Sequence, residues 1–407
     1  MTCRPEGAAA PPGPGEPFTV MVKPVGPQCN LDCSYCYYTE KRRLFPSASL
    51  RIKDDLLATF IRQYMDGHEG REITFMWQGG EPTLLGTGFF ERILELQRQY
   101  RPAEKAVRNA LQTNGTLLDR RWARFLREND FLVGLSIDGP RRLHDRYRVT
   151  KKGLPTFDVV LGALRLLRDE GVDFNTLTVV HRDNAAHGKE IYRFLRGEGV
   201  RFMQFIPLVE RLGPDGGLAG PPGQDPSAEV TRWSVLPGGF GTFLCDVFDS
   251  WVRRDVGSVF VQLFEVHLAL WAGLPSSLCV FAETCGRCLV MEHNGDLFAC
   301  DHYVYPGYRL GNLRERSLRD LADDEAQRRF GRDKRDGLPP VCRSCAYLPV
   351  CGGGCPKHRF ARTPDGAAGL NYLCPSYRRY FGHVGPTLRR MAGALRGIDA
   401  GQPVPGG

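Results

Sequence analysis

The chain has 407 residues, of which 42% are hydrophobic, and this length and composition predict a globular protein of enzyme size. No run of residues reaches the roughly 18 apolar positions that a membrane span needs, and the first residues lack the apolar stretch of a secretory signal. The formal net charge is +8, but the basic residues are scattered. We therefore expect a cytoplasmic protein with neither a membrane nor a nucleic acid as partner.

Strand-like apolar runs alternate with helical patterns over the first half of the chain. The six predicted strands are FTVMVKP (18–24), EITFMWQGG (72–80), RNALQTNG (108–115), FLVGLSIDG (131–139), FNTLTVV (174–180) and FMQFIPLV (202–209). The stretches between them place apolar residues at helical spacing. This alternation predicts parallel pairing with right-handed crossovers, hence an α/β fold with a partial (β/α)6 TIM-like barrel. Its chemistry is expected at the carboxyl ends of the strands.

Composition shifts divide the chain further. Residues 1–16 and 397–407 are predicted to be disordered Pro/Gly tails, and the barrel is expected over 17–239. Within it, 211–239 is so rich in Gly and Pro that a flexible loop without regular structure is predicted. A helical connector over 240–278 leads to a cysteine-rich domain over 279–396 with a C-terminal helix.

Fourteen cysteines in a chain expected to stay in a reducing compartment favour metal or cluster ligands over disulfides. In CNLDCSYC, Cys29, Cys33 and Cys36 supply three thiols, with Tyr35 before the last. Three ligands leave a coordination position open, where a reaction can take place. The spacing resembles that of the radical S-adenosylmethionine enzymes, which implies a 4Fe-4S cluster that binds S-adenosyl-L-methionine. A zinc knuckle or three unrelated core cysteines are the alternatives.

The same resemblance assigns cofactor contacts to the ends of the strands. A glycine-rich turn, Gln78, Gly79, Gly80 and Glu81, matches the element that receives the methionyl amino group, and Tyr35 matches the aromatic position of the cysteine motif. Ser136, which closes the fourth strand, resembles the polar contact to the ribose. Asn114 ends the third strand with the same ambiguity between a ligand contact and an ordinary strand end.

Eight further cysteines follow a second pattern, which resembles the SPASM domain of radical enzymes that modify peptides. The resemblance implies two auxiliary 4Fe-4S clusters, one on Cys279, Cys285, Cys300 and Cys355, the other on Cys342, Cys345, Cys351 and Cys374. Spacing alone does not fix this interleaving. Two structural zinc sites are the alternative for any set of four thiolates.

The motifs PQCNLDCSYCYY, WQGGEPTL, LQTNGTLLD, FLVGLSIDGP, LFACDHYVYPGYRLGNL and LNYLCPSYRRYF make residues 18–395 resemble the anaerobic sulfatase-maturing enzymes. Those enzymes oxidise a Cys or Ser of a sulfatase to Cα-formylglycine. The resemblance implies a 5'-deoxyadenosyl radical that takes hydrogen from Cβ, an auxiliary cluster that accepts an electron, and Asp301 as the general base. An N-cap or a structural carboxylate is the plainer interpretation of Asp301.

The resemblance also implies the partners. The substrate is a sulfatase polypeptide with a Cys/Ser-x-Pro/Ala-x-Arg motif, and the electron donor is a flavodoxin- or ferredoxin-type reductant. Two alternatives stay open, a SPASM maturase that forms a thioether or carbon–carbon crosslink in a ribosomal peptide, and a non-enzymatic iron–sulfur or zinc binding protein.

Overall fold

The computed structural model describes residues 17–46 and 50–395, so both predicted tails, 1–16 and 397–407, lie outside the described residues. The described chain forms two compact units. The first contains residues up to 177 together with 287–329, and the second contains 178–286 and 330–395. This division crosses the predicted domain boundaries, which stay predictions.

Fourteen strands lie in the described chain. In chain order they are β1 (Thr19–Lys23), β2 (Glu72–Trp77), β3 (Ala106–Thr113), β4 (Phe131–Ser136), β5 (Phe174–Val180), β6 (Phe202–Pro207), β7 (Arg211–Leu212), β8 (Glu229–Val230), β9 (Phe260–Val261), β10 (Cys288–Glu292), β11 (Asp296–Phe298), β12 (Arg309–Asn312), β13 (Ala361–Arg362) and β14 (Ala368–Leu370). The first six are the six predicted strands, and their ends differ from the prediction by at most three residues.

Thirteen α-helices lie in the same described ranges. They are α1 (Asp54–Gly67), α2 (Gly86–Tyr100), α3 (Arg120–Glu128), α4 (Arg141–His144), α5 (Phe157–Asp169), α6 (Gly188–Gly197), α7 (Gly239–Trp251), α8 (Gln262–Trp271), α9 (Leu318–Ala322), α10 (Glu325–Asp336), α11 (Pro340–Arg343), α12 (Leu348–Cys351) and α13 (Cys374–Leu395). None of the described helices is long and apolar enough to cross a membrane.

The first unit is built on a mostly parallel sheet with the strand order β12, β11, β10, β1, β2, β3, β4, β5. Parallel pairing runs from β10 through β5, and β11 and β12 extend the edge as an antiparallel pair. The strands are apolar because both faces of a parallel sheet are covered. Trp77, Phe60 and Phe75 are fully buried in this core. The predicted α/β class is confirmed, and so are the parallel order and the alternation of strands with helices.

In the second unit β6 pairs in parallel with β9, and the long helix α13 packs on α7 and α8. The α7–α13 contact is close because a Cβ atom on Gly241 would lie only 2.3 Å from the carbonyl oxygen of Ser376. The prediction that 211–239 has no regular element is wrong at two places, since β7 and β8 form an antiparallel pair. The Arg211 side chain stabilises this hairpin by donating to the carbonyl oxygen of Gly220 at 2.9 Å.

Candidate active site

The three cysteines of the first motif lie in the loop that follows β1. Leu31 N–H lies 3.4 Å from the sulfur of Cys29, and the Cys36 N–H donates to the carbonyl oxygen of Cys33 at 2.9 Å. Burial, together with the charges of neighbouring cysteines, raises the pKa of Cys29 to about 11 and that of Cys33 to about 12. Thiolates here would be desolvated and mutually repulsive, and iron cations relieve both penalties. The loop therefore fits a cluster held by three cysteines.

Asn114 fixes the start of this loop. Its amide nitrogen donates to the Asn30 side-chain oxygen at 2.9 Å and lies 3.7 Å from the sulfur of Cys29. The amide nitrogen of Asn30 donates in turn to the hydroxyl of Thr116 at 2.8 Å. Asn114 therefore holds the first cysteine from the end of β3, which gives this residue a positioning role that the sequence pattern left open.

The turn Gln78 to Glu81 packs directly on the backbone that precedes Cys29. Gly80 N–H donates to the carbonyl oxygen of Gly26 at 2.8 Å, and a Cβ atom on Gly80 would lie 1.9 Å from the carbonyl oxygen of Gln28. Gly79 has a φ of +138°, a backbone conformation that residues other than glycine rarely adopt. The two glycines are thus required for close backbone contact, and their contact to S-adenosylmethionine stays a prediction.

Glu81 is completely buried and acts within the protein. Its carboxylate accepts hydrogen bonds from the hydroxyl groups of Thr83 and Thr113 at 2.6 and 2.7 Å, and from the Asn114 N–H at 2.7 Å. Burial raises the pKa of Glu81, and these hydrogen bonds oppose the increase. Glu81 therefore ties the glycine turn to the end of β3.

Asp301 lies at the end of a chain of polar contacts that begins at the carboxyl ends of the strands. Gln78 donates to Gln112 at 2.8 Å and accepts from the Lys23 ammonium at 2.7 Å. Lys23, which is 1% exposed, forms an ion pair of 2.6 Å with Asp301 Oδ1. The hydroxyl of Tyr37 donates to Asp301 Oδ2 at 2.5 Å. Both carboxylate oxygens of Asp301 are therefore held in place.

Neighbouring positive charges keep the Asp301 carboxyl group ionised. Burial alone would raise the pKa of this carboxyl, but the charges of Lys23 and His302 and the hydrogen bonds from Lys23 and Tyr37 lower the pKa below its ordinary value. Cys300, and not Asp301, is the N-cap of the short helix Asp301–Tyr303, so the plainer N-cap interpretation does not describe this side chain. Asp301 is an anion that is able to accept a proton.

Lys23, Tyr37, Tyr38 and Glu292 are site residues that the sequence interpretation missed. Tyr38 donates to the fully buried carboxylate of Glu292 at 2.7 Å, and the Lys23 ammonium lies 4.1 Å from the centre of the Tyr38 ring. One feature of the sequence, the position of Lys23, could have identified this residue as part of the site. It is a charged residue at the carboxyl end of an otherwise apolar parallel strand, where chemistry is expected.

Tyr35 and Ser136 lie near the end of β4. Ser136 is the last residue of that strand and is 8% exposed. The Tyr35 hydroxyl donates to the buried Asp138 carboxylate at 2.5 Å, and Arg148 donates to the same carboxylate at 2.9 Å. These contacts fix the Tyr35 ring beside the cysteine loop, and the cofactor roles of Tyr35 and Ser136 stay predictions.

The auxiliary cysteines of the second unit fall into two groups whose charges interact within each group. One contains Cys279, Cys285 and Cys355, and the other contains Cys342, Cys345, Cys351 and Cys374. These are the two sets that the resemblance assigns to separate clusters, apart from Cys300, which belongs to the first unit. Burial raises the pKa of Cys285 and Cys351 to about 12, so a bound metal is again needed for ionised thiols.

Comparison with known proteins agrees with these motifs. Residues 24–195 match the family model of the Radical SAM superfamily, and residues 279–346 match that of SPASM, an iron-sulfur cluster-binding domain. The serine-type anaerobic sulfatase-maturating enzyme of Bacteroides thetaiotaomicron is 42% identical over 388 residues, which are 95% of this chain and 94% of that protein. The cysteine-type enzyme of Clostridium perfringens strain 13 is 33% identical over 93% of this chain and 100% of its own length.

The solved structures give the same relationship. The structure of native anSMEcpe with bound AdoMet and Kp18Cys peptide superposes with a TM-score of 0.82 at 33% identity, covering 93% of this chain and 99% of that one. SuiB from Streptococcus suis, with a TM-score of 0.57 at 14% identity when bound to its precursor peptide, shares the fold alone. The chain belongs to the anaerobic sulfatase-maturating enzymes, a family of the Radical SAM superfamily with an iron-sulfur cluster-binding SPASM domain.

Proposed function

We propose that this protein oxidises the Cβ of a Cys or Ser side chain in a sulfatase. Oxidation of Ser yields Cα-formylglycine directly, whereas oxidation of Cys yields a thioaldehyde that water hydrolyses to formylglycine with release of hydrogen sulfide. The observation that carries the proposal is the placement of Asp301, an anion held by Lys23 and Tyr37 within the unit that contains the first cysteine motif. A formylglycine-forming enzyme needs a base for the substrate thiol or hydroxyl, and this carboxylate is suited to the task. Membership of the family supports the same reaction.

The proposed cofactors are S-adenosyl-L-methionine and three 4Fe-4S clusters. Cys29, Cys33 and Cys36 would hold the first cluster, and the two groups of SPASM cysteines would hold the other two. When bound, these cofactors supply the 5'-deoxyadenosyl radical that abstracts hydrogen from Cβ and the acceptor for the remaining electron. The turn Gln78 to Glu81, Tyr35 and Ser136 would bind the S-adenosylmethionine.

Residues of the chain itself accept the proton that the substrate thiol or hydroxyl loses. The substrate S–H or O–H gives its proton to a carboxylate oxygen of Asp301, whose lowered pKa keeps it ionised at neutral pH. Lys23 and Tyr37 keep the two oxygens in a fixed orientation before and after the transfer. Gln78 in turn orients the Lys23 ammonium. The base is therefore preorganised, and little rearrangement accompanies proton transfer.

The proposed protein substrate carries a Cys/Ser-x-Pro/Ala-x-Arg motif, and the proposed donor of electrons is a flavodoxin- or ferredoxin-type protein in the cytoplasm. The structure of a related protein, anSMEcpe, has been solved with the peptides Cp18Cys and Kp18Cys, and the relatives of this chain include both serine-type and cysteine-type enzymes. Both residue types therefore belong in the test.

The decisive experiment combines reconstituted protein, S-adenosylmethionine and dithionite with matched peptides that carry Cys-x-Pro-x-Arg or Ser-x-Pro-x-Arg. Mass spectrometry should detect an aldehyde, and chromatography should detect 5'-deoxyadenosine. Deoxyadenosine with a crosslinked peptide instead of an aldehyde would favour the peptide-crosslinking maturase. Failure to form deoxyadenosine from iron-loaded protein would favour a non-enzymatic iron–sulfur protein.

Asp301→Asn separates radical formation from substrate oxidation. The amide cannot accept the proton at neutral pH, so formylglycine should fall by about 100-fold or more while deoxyadenosine formation persists. With peptide deuterated at Cβ, label should still reach deoxyadenosine because hydrogen abstraction precedes the missing step. Formylglycine at the wild-type rate would show that another group is the base.

A further inference from the structure

Two buried cations lie against the cysteines of the second unit. Lys334, on α10, is 1% exposed, and Arg359 is 8% exposed. Within the described ranges neither side chain forms an ion pair with a carboxylate. Burial lowers the pKa of both Lys334 and Arg359, and the charges of neighbouring cysteines oppose that decrease. Burial of an uncompensated charge carries a large penalty, so these cations require a negative partner.

Lys334 holds the loop that carries Cys279. Its ammonium donates to the carbonyl oxygens of Cys279 at 2.5 Å, of Val280 at 3.0 Å and of Ala282. A neutral amine has only two N–H groups, whereas the ammonium has three, one for each of these acceptors. The geometry therefore corresponds to the charged form of Lys334.

Arg359 holds the loop between Cys351 and Cys355. Its guanidinium donates to the carbonyl oxygens of the three intervening glycines, Gly352, Gly353 and Gly354, at 3.2, 3.1 and 3.3 Å, and to that of Lys334. All three glycines have φ between +55° and +71°, a conformation that turns their carbonyl groups toward one cation and that other residues rarely adopt. The run of three glycines in CGGGC is thus explained by Arg359.

Lys334 and Arg359 contact loops that carry different cysteines. Lys334 donates to the loop that carries Cys279, a cysteine of one group, whereas Arg359 donates to the loop that joins Cys351 of one group to Cys355 of the other. Protonated thiols would leave both cations uncompensated. Iron-bound thiolates would supply the missing negative charge.

We propose that Lys334 and Arg359 are positioning residues for the auxiliary clusters. The fixed charge of Lys334 raises the reduction potential of the cluster bound by Cys279, Cys285 and Cys355, and that of Arg359 raises the potentials of both auxiliary clusters. The proposal rests on the cofactors proposed above. A cluster that gains an electron becomes more negative by one charge, so a nearby cation stabilises the reduced form more than the oxidised form. Lys334 should therefore affect one auxiliary cluster, and Arg359 both.

The test uses the full chain with the three cysteines of CNLDCSYC replaced by Ala, reconstituted with iron and sulfide, so that the auxiliary clusters are titrated alone. Electron paramagnetic resonance during a redox titration should show one midpoint potential shifted to lower values in Lys334→Met and two in Arg359→Met. Arg359→Lys, which keeps the charge, should restore most of both shifts. Arg335→Gln is the matched control, because it removes an exposed charge from the neighbouring position of α10.

Unchanged potentials in Lys334→Met, or equal shifts in Lys334→Met and Arg335→Gln, would overturn the proposal. If the variant Lys334→Met does not retain its iron, the variants Lys334→Gln and Lys334→Arg are measured in its place. Iron retained only in Lys334→Arg supports a requirement for charge, and iron lost from all three indicates a purely structural lysine. A parent protein that takes up no iron would instead refute the proposed cofactors.

Discussion

The ion pair between Lys23 and Asp301 should make a large contribution to the stability of the folded protein. Its two atoms are 2.6 Å apart, and the side chains are 1% and 16% exposed. When one partner of a buried pair is removed, the other charge stays desolvated without compensation, at a cost of about 3–5 kcal/mol. We therefore expect Lys23→Met to lower the free energy of unfolding by about 3–5 kcal/mol.

The double variant gives the sharper result. Asp301→Asn should be less costly than Lys23→Met, because Lys23 keeps its contact to Gln78 and the amide oxygen of Asn replaces the carboxylate oxygen as an acceptor. With both charges removed, no uncompensated charge remains. The loss in Lys23→Met/Asp301→Asn should therefore be smaller than the sum of the single losses by about 2–3 kcal/mol.

Urea unfolding of the metal-free wild type and the three variants measures these differences. Lys189→Met is the control, because Lys189 pairs with Asp246 at 3.3 Å on the surface, where an ion pair contributes only about 0–1 kcal/mol. Additive losses in the double variant, within about 0.5 kcal/mol, would refute the inference that Lys23 holds Asp301 by charge.

Three further outcomes are expected. Replacement of the three cysteines in CNLDCSYC by Ala should leave about two thirds of the iron and abolish deoxyadenosine formation, and full zinc occupancy without iron would contradict this. Gly80→Ala should displace Gln28 and lower the iron content of the first cluster, whereas Gly88→Ala, with open space at its Cβ position, should not. Burial lowers the pKa of His267 from 6.5 to about 3. Between these pH values, His267 binds a proton in the unfolded state but not in the folded state. His267 should therefore contribute a loss of about 1.4 kcal/mol of stability per pH unit below pH 6.5, and His267→Phe should reduce the slope by that amount in urea titrations, while His144, whose pKa burial also lowers to about 3, keeps its own contribution.

Local patterns in the sequence were sufficient for the order of the elements and for the family. The strands β1 to β6 were predicted correctly because apolar runs and helical spacing are properties of consecutive residues. CNLDCSYC is likewise a local pattern, whose spacing predicts a cluster motif, and Asp301 was singled out because it lies directly after Cys300; the roles of these residues stay predictions. The β7–β8 pair was missed because its strands have two residues each and depend on the contacts of Arg211 rather than on periodicity.

Only the tertiary structure decided which distant residues act together. Lys23 and Asp301 are separated by most of the chain, and the parallel pairing of β1 with β10 brings the segment that carries Asp301 close to Lys23. The grouping of the SPASM thiols likewise depends on how loops pack, because spacing permits several pairings. Lys334 and Arg359 resemble ordinary surface cations in the sequence. Their burial beside cysteines is a property of packing, because a charge is confined only when surrounding chain segments exclude water from it.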